Sequence, residues 1–148
     1  MDQERFREIL QFAMDKEMEA RDFYRRASET AKFSGTKELF TELSKQEEGH
    51  WKLIADLNTE KIEGSTIQSI PDLKISDYLV DAELRPDIPY ADILRIAMKR
   101  EERSIKLYSD LNASAADESL KKLFSFLIQE ETRHKYRLEK IYDDEILK

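Results

Sequence analysis

The sequence predicts an all-α protein: a four-helix bundle of two repeat-related helical hairpins joined by a long crossover. Three observations predict it. First, the chain repeats itself 84 positions on, with no gap: Ile9 matches Ile93, Leu10 Leu94, Ala13 Ala97, Met14 Met98, Glu17 Glu101 and Tyr24 Tyr108. The match continues with Leu39 and Leu123, Phe40 and Phe124, Leu43 and Leu127, Glu47 and Glu131, His50 and His134. Second, apolar residues in both copies recur at steps of three and four, the signature of an amphipathic helix. Third, 148 residues contain only 3 Gly and 3 Pro, so breakers are scarce and helices run long.

The first helix is expected over about residues 3–31, with Phe6, Leu10, Ala13, Glu17, Ala20, Tyr24, Ala27 and Ala31 along one face. Ser34 and Gly35 mark the turn, and Ser34 is a candidate cap. The second helix carries Phe40, Leu43, Glu47, His50, Ile54 and Leu57 in line and is expected to end there, with Asn58 and Gly64 closing the element. Residues 58–89 hold all three prolines, Pro71, Pro86 and Pro89, with a short helix expected from about Ser76 to Ala82. That stretch is too long for a tight turn and long enough to cross the length of a bundle. The third helix is expected from near Tyr90 to near Asn112, striped by Leu94, Ala97, Glu101, Ser104, Tyr108 and Leu111. The fourth runs from near Asp117 to about Asp144, with Leu120, Leu123, Phe124, Leu127, Glu131, His134, Leu138 and Ile141 inward. The whole of 1–148 is thus expected to be one domain: a hairpin over 3–58, a crossover over 59–89 and a hairpin over 90–144.

Composition narrows the function. Charged residues make up 39% of the chain, above the roughly 25% of an average protein. A net charge of −7 with no block of Lys or Arg argues against binding nucleic acid. There is no cysteine, which removes disulfides, thiol catalysis, Cys-bound zinc and iron–sulfur clusters. No run of about 18 apolar residues suits a membrane span. The charged start, Met1-Asp2-Gln3-Glu4-Arg5, lacks the apolar core of a signal peptide, so a cytoplasmic location is expected.

The chemistry lies in six residues. Each copy has a Glu followed later by Glu-x-x-His: Glu17 with Glu47 and His50, and Glu101 with Glu131 and His134. Residues three apart on a helix share a face. All six lie in the apolar stripes, where a charged group is costly unless paired or bound to metal. A lone Glu-x-x-His means little in so Glu-rich a chain, and Glu17 or Glu101 alone reads as a solvated residue. Repeat symmetry and core register together point instead to a dinuclear metal site, in which four carboxylates and two imidazoles suit iron or manganese. Glu47 and Glu131 are expected to bridge, Glu17 and Glu101 to bind one metal each, and His50 and His134 to complete the two ends. Glu19, Glu48, Glu102 and Glu130 lie off the stripe and are assigned to the solvated face, with Glu130 and Glu102 as reserve ligands. Tyr24 and Tyr108 follow the first Glu of each copy by two turns and are expected to donate hydrogen bonds to ligand carboxylates of either hairpin. Phe23, Phe40, Phe124, Phe126, Trp51, Met14 and Met98 read as packing.

The segments Phe12-Ala13-Met14-Asp15-Lys16-Glu17…Asp22-Phe23-Tyr24, Gln46-Glu47-Glu48-Gly49-His50, Ala97-Met98-Lys99-Arg100-Glu101…Leu107-Tyr108 and Gln129-Glu130-Glu131-Thr132-Arg133-His134 resemble rubrerythrin-type ferritin-like proteins over nearly the whole chain. The resemblance implies a ferritin-like bundle, a non-haem site of two Fe ions (with Mn or a mixed pair sharing these ligands), a homodimer and a role in handling peroxide or oxygen. Two departures stand out. Rubrerythrin proper has a rubredoxin domain with four cysteines, so here electrons are expected from an external electron-transfer protein. Rubrerythrin also has an extra carboxylate one turn after the third-helix Glu, where this chain has Ser104. The leading expectation is a peroxide- or oxygen-reducing oxidoreductase. Ferrous-iron binding and oxidation for detoxification or storage, and a non-catalytic interaction bundle, are the alternatives.

Overall fold

A computed structural model describes residues 2–31, 34–60, 74–79, 88–115 and 117–147. Four long helices dominate it: α1 over Asp2–Thr30, α2 over Ser34–Glu60, α3 over Tyr90–Ser114 and α4 over Glu118–Tyr142. The described residues contain no extended sheet strand. The fold is the bundle of two helical hairpins expected from the repeat.

Local chemistry sets the helix ends. Pro89 precedes α3 with φ −58°, and its carbonyl accepts from the Asp92 and Ile93 amides at 2.9 and 3.1 Å. Proline suits this place because it has no N–H to leave unsatisfied. Asp117 caps α4, its carboxylate accepting from the Ser119 amide at 2.7 Å. The turn between α3 and α4 is tied by Asn112, whose Nδ2 donates to the Lys121 carbonyl at 2.8 Å.

Several boundaries differ from expectation. Helix α2 runs through Asn58 to Glu60, since Asn disfavours a helix interior only mildly; Gly64 lies outside the described residues. The short helix expected at 76–82 is a 3₁₀ turn over Ile75–Tyr78, and residues 80–82 lie outside the described residues. Tyr78 fastens that turn, donating to Asp110 at 2.7 Å and packing near Phe12. Helix α4 passes into a π-helical turn over Asp143–Leu147. There Glu145 accepts from Thr36 at 3.1 Å and from Tyr90 at 2.7 Å, joining the tail of α4 to α2 and α3. The side chain of Ser34, the candidate cap, lies outside the described residues.

Contacts across the bundle give the helix directions. Helices α1 and α2 pack as one hairpin, α3 and α4 as the other. Tyr24 reaches Glu101 while Tyr108 reaches Glu17, so α1 and α3 run antiparallel. Arg137 meets Glu42 and His134 meets Gln46, so α2 and α4 also run antiparallel. The end of α2 and the start of α3 therefore lie at opposite ends of the bundle, the arrangement that demands a long connection.

Two apolar clusters fill the interior. One gathers Phe6, Leu10, Ile54, Leu111, Leu120 and Phe124; the other gathers Phe23, Ala27, Phe40, Leu43, Leu94 and Leu138. The repeat shows in the packing. Tyr24 stacks on Phe40 at 6.0 Å, and Tyr108 stacks on Phe124 at 6.4 Å. Phe124 is completely buried, whereas Tyr136 on the same helix is 69% exposed. Chemical denaturation of the metal-free protein should show Phe124→Ala costing about 3–5 kcal/mol, and Tyr136→Ala costing about 0.5 kcal/mol or less.

Candidate metal centre

Between the two apolar clusters lie Glu17, Glu47, His50, Glu101, Glu131 and His134, none more than 3% exposed. Each helix delivers its share through the stripe that also carries its leucines and alanines. The side chains form two groups, Glu17, Glu47, His50 and Glu131 in one, and Glu47, Glu101, Glu131 and His134 in the other. Within each group one donor atom per residue lies within 4.8 Å of the others. Glu47 and Glu131 belong to both groups, which suits the bridging role expected of them. The two imidazoles face each other nearly parallel, with ring centroids 5.8 Å apart.

The inward atoms are close but poorly aligned for hydrogen bonds. His134 Nδ1 lies 2.8 Å from Glu47, 3.3 Å from Glu131 and 3.7 Å from Glu101. His50 Nδ1 lies 3.2 Å from Glu131, 3.6 Å from Glu17 and 3.9 Å from Glu47. Yet Glu17 Oε2, Glu47 Oε1, Glu101 Oε2, Glu131 Oε1 and the Nδ1 atoms of both histidines are buried without a hydrogen-bond partner. Buried polar atoms are nearly always satisfied. Six of them converging from four helices fit a bound cation, because carboxylate oxygens and imidazole nitrogens are the donors that iron and manganese accept.

Without metal, the cluster is held by protons. Burial raises the Glu47 carboxyl well above the ordinary range, and the charges of Glu131, Glu17 and Glu101 push the same way. Burial and Glu131 lift Glu101 to about 8, against the opposing pull of His134. Burial opposes charge on His50, but Glu131 and Glu17 outweigh it and lift the ring to about 10. Burial likewise opposes charge on His134, and Glu101 and Glu131 lift it to about 9. Burial alone would raise Glu131; the adjacent His134 and His50 rings overcome it and hold this carboxyl well below its usual range. In the metal-free site Glu131 is thus held in its charged form between the two rings, while burial favours the neutral forms of Glu47 and Glu101.

Tyr24 donates to Glu101 and Tyr108 donates to Glu17, each across to the other hairpin. Burial first, then the nearby carboxylates, pushes both phenols well above their ordinary range, so they remain donors.

Residues around the rim separate. Glu19 pairs with Lys16 at 2.9 Å, Glu48 with Arg21 at 3.7 Å and Glu102 with Lys135 at 3.3 Å, all on the exposed side. Neither Glu102 nor Glu130, the two reserve ligands, belongs to a donor group. Glu130 is only 19% exposed and lies 3.9 Å from His50 Nε2, so it faces the outer edge of that ring. Phe126 is 45% exposed and sets its ring edge against His50. Ser104 lines a recess beside Tyr108, together with its repeat mate Ala20, Lys16 and Arg100. Gln46, which sequence reasoning passed over, contacts His134 Nε2 at 2.5 Å. It stands four residues before His50, on the same helix face, and the antiparallel crossing of α2 and α4 brings it to the other histidine.

Four helices in this topology around a buried cluster of carboxylates and imidazoles define a ferritin-like protein of the non-haem di-iron class. The chain belongs to the rubrerythrin family, whose model matches residues 8–142. A hypothetical protein from Pyrococcus furiosus is similar in structure, with a TM-score of 0.75 and 28% identity over 93% of this chain and 87% of that one. A crystal structure from Thermotoga maritima, described as a candidate ferritin-like diiron-carboxylate protein, gives a TM-score of 0.73 and 25% identity over 95% of this chain and 94% of that one. No curated protein matches the sequence. Among the described residues no helix is long and apolar enough to cross a membrane.

The proton-held state has a pH signature. Groups whose folded pKa is raised stabilise below their unfolded pKa and lose that effect as pH rises through the folded value. Glu101, rising to about 8, and the histidines, rising to about 9 and 10, all act in this direction. Glu131 acts oppositely, but only at acidic pH. The Tm of metal-free protein should therefore fall as pH is raised from about 5 to about 9. Protein loaded with a divalent metal should not show this fall, because metal displaces the same protons. Calorimetry of both forms across that range checks it.

Proposed function

We propose that this protein is an oxidoreductase that reduces hydrogen peroxide or dioxygen at a pair of iron ions, with electrons from an external protein. The observation that carries this reading is the set of six buried, inward-facing donor atoms without hydrogen-bond partners. Glu47 and Glu131 would bridge the ions, Glu17 and Glu101 would each hold one, and His50 and His134 would complete the ends. Bound there, two ferrous ions supply the two electrons that, with two protons, convert one hydrogen peroxide into two waters.

The chain's own residues do the rest. Tyr24 and Tyr108 hold Glu101 and Glu17 in place by donating to them. The flanking apolar clusters keep water from competing for the ligands. Ser104 offers a hydroxyl where the rubrerythrin resemblance expects a further carboxylate, so the centre works with six protein ligands. The 148 residues hold no cysteine, which supports an electron donor outside them. A mixed or manganese pair shares the same ligand chemistry, and the family resemblance supports a homodimer.

Anaerobic loading with ferrous iron, removal of excess and metal analysis test the reading. Two irons per wild-type chain are expected, with most of that iron lost in Glu47→Ala. Rapid mixing with peroxide and with oxygen then reads the reaction. Oxidation by peroxide at least tenfold faster than by oxygen, with repeated turnover under a reductant, supports peroxide reduction. Oxidation by oxygen alone, with iron retained and no turnover, would move the function to iron sequestration. No tightly held iron, manganese or zinc would overturn the reading.

A further inference from the structure

The outer edges of the two imidazoles are built differently, although the repeat relates them. Each Nε2 points away from the cluster, toward the residue just before the shared Glu of the other hairpin. For His134 this residue is Gln46, with Oε1 at 2.5 Å. For His50 it is Glu130, whose oxygen stays 3.9 Å away, and His50 Nε2 is buried without a hydrogen-bond partner. Gln46 is itself held in place: its Nε2 donates to Glu42 at 3.3 Å, and Glu42 accepts from Arg137 at 2.9 Å. That chain turns the amide oxygen toward His134. Glu130 has no such support and instead pairs with Arg133 at 3.4 Å. The repeat mates of Glu42 and Arg137 are Phe126 and Leu53, both apolar and partly exposed.

An amide oxygen only accepts. A neutral His134 facing it must carry its hydrogen on Nε2, which leaves the Nδ1 lone pair for a cation and fixes the ring plane. Partners of this kind on a ligand histidine are typically worth about 10–100-fold in metal affinity. His50 lacks that constraint. We propose that the Arg137–Glu42–Gln46 chain makes the two cation positions unequal, with Gln46 as the positioning residue. The position formed by Glu47, Glu101, Glu131 and His134 binds a divalent cation first and more tightly than the one that uses His50. This inference rests on the metal reading above.

Titration of full-length protein with Co²⁺, followed by calorimetry, visible absorption and paramagnetically shifted imidazole N–H signals, tests it. Wild-type protein should bind two ions in separate steps, with one exchangeable N–H signal appearing in the first. Gln46→Ala should weaken the first step about 10–100-fold, alter that signal and leave the second step nearly unchanged. Gln46→Glu, which retains an acceptor, should restore stepwise binding. Arg137→Leu, a change outside the core, should weaken the first step in the same direction, which keeps the test decisive if Gln46→Ala does not fold. Unchanged step constants in Gln46→Ala and Arg137→Leu, or two wild-type ions bound with a single affinity, would overturn the inference while leaving the metal reading intact. Wild-type protein that binds no cobalt, iron, manganese or zinc would overturn both.

Discussion

The rest of the structure depends on one constraint: four carboxyls and two imidazoles share a space from which water is excluded. Isolated charges in such a place are prohibitively costly. The bundle resolves this by placing the groups at one depth, where they offset one another, and by closing apolar layers over both sides. Protons and mutual attraction hold the cluster together without metal, with Glu131 ionised between two positive rings. That is a poor source of stability, since buried ion pairs rarely exceed hydrophobic packing of the same volume. The inward atoms are not hydrogen-bonded to one another, and a site arranged this way is better matched to cations than to itself.

The pseudo-twofold relation between hairpins runs through the centre of that cluster. It appears in Tyr24 on Phe40 against Tyr108 on Phe124, and in the reciprocal hydrogen bonds from the two tyrosines. It breaks at the outer edges of the two histidines. Close in, the same residue types recur; one layer out, Gln46 stands where its mate is Glu130, and Glu42 and Arg137 stand where their mates are Phe126 and Leu53. The two halves are alike where the donors converge and where the tyrosines hold their carboxylates, and differ where the outer edges of the histidines are supported.

Much of this was legible in the sequence, for a definable reason. Glu17, Glu47, His50 and their mates sit in apolar stripes, and the helical period reports which face of its own helix a residue occupies. Two copies in one register made the reading stronger than either alone. What the period does not report is what another helix contributes. Glu130 lies off the stripe of α4 and reads as solvated, yet the antiparallel neighbour α2 brings His50 beside it. Gln46 was missed for the same reason. Phe126 reads as packing by its type, but it is partly exposed at the edge of α4. Boundaries are the other gap: Asn58 reads as a stop, yet Asn disfavours a helix interior only mildly and α2 continues to Glu60.

Neither hairpin owns a complete donor group. The group with His50 borrows Glu131 from α4, and the group with His134 borrows Glu47 from α2. An occupant of either position is therefore gripped from both halves of the chain at once. Parting the halves would take a carboxylate from both positions together. The integrity of each position is in this way a property of the whole fold and not of either hairpin.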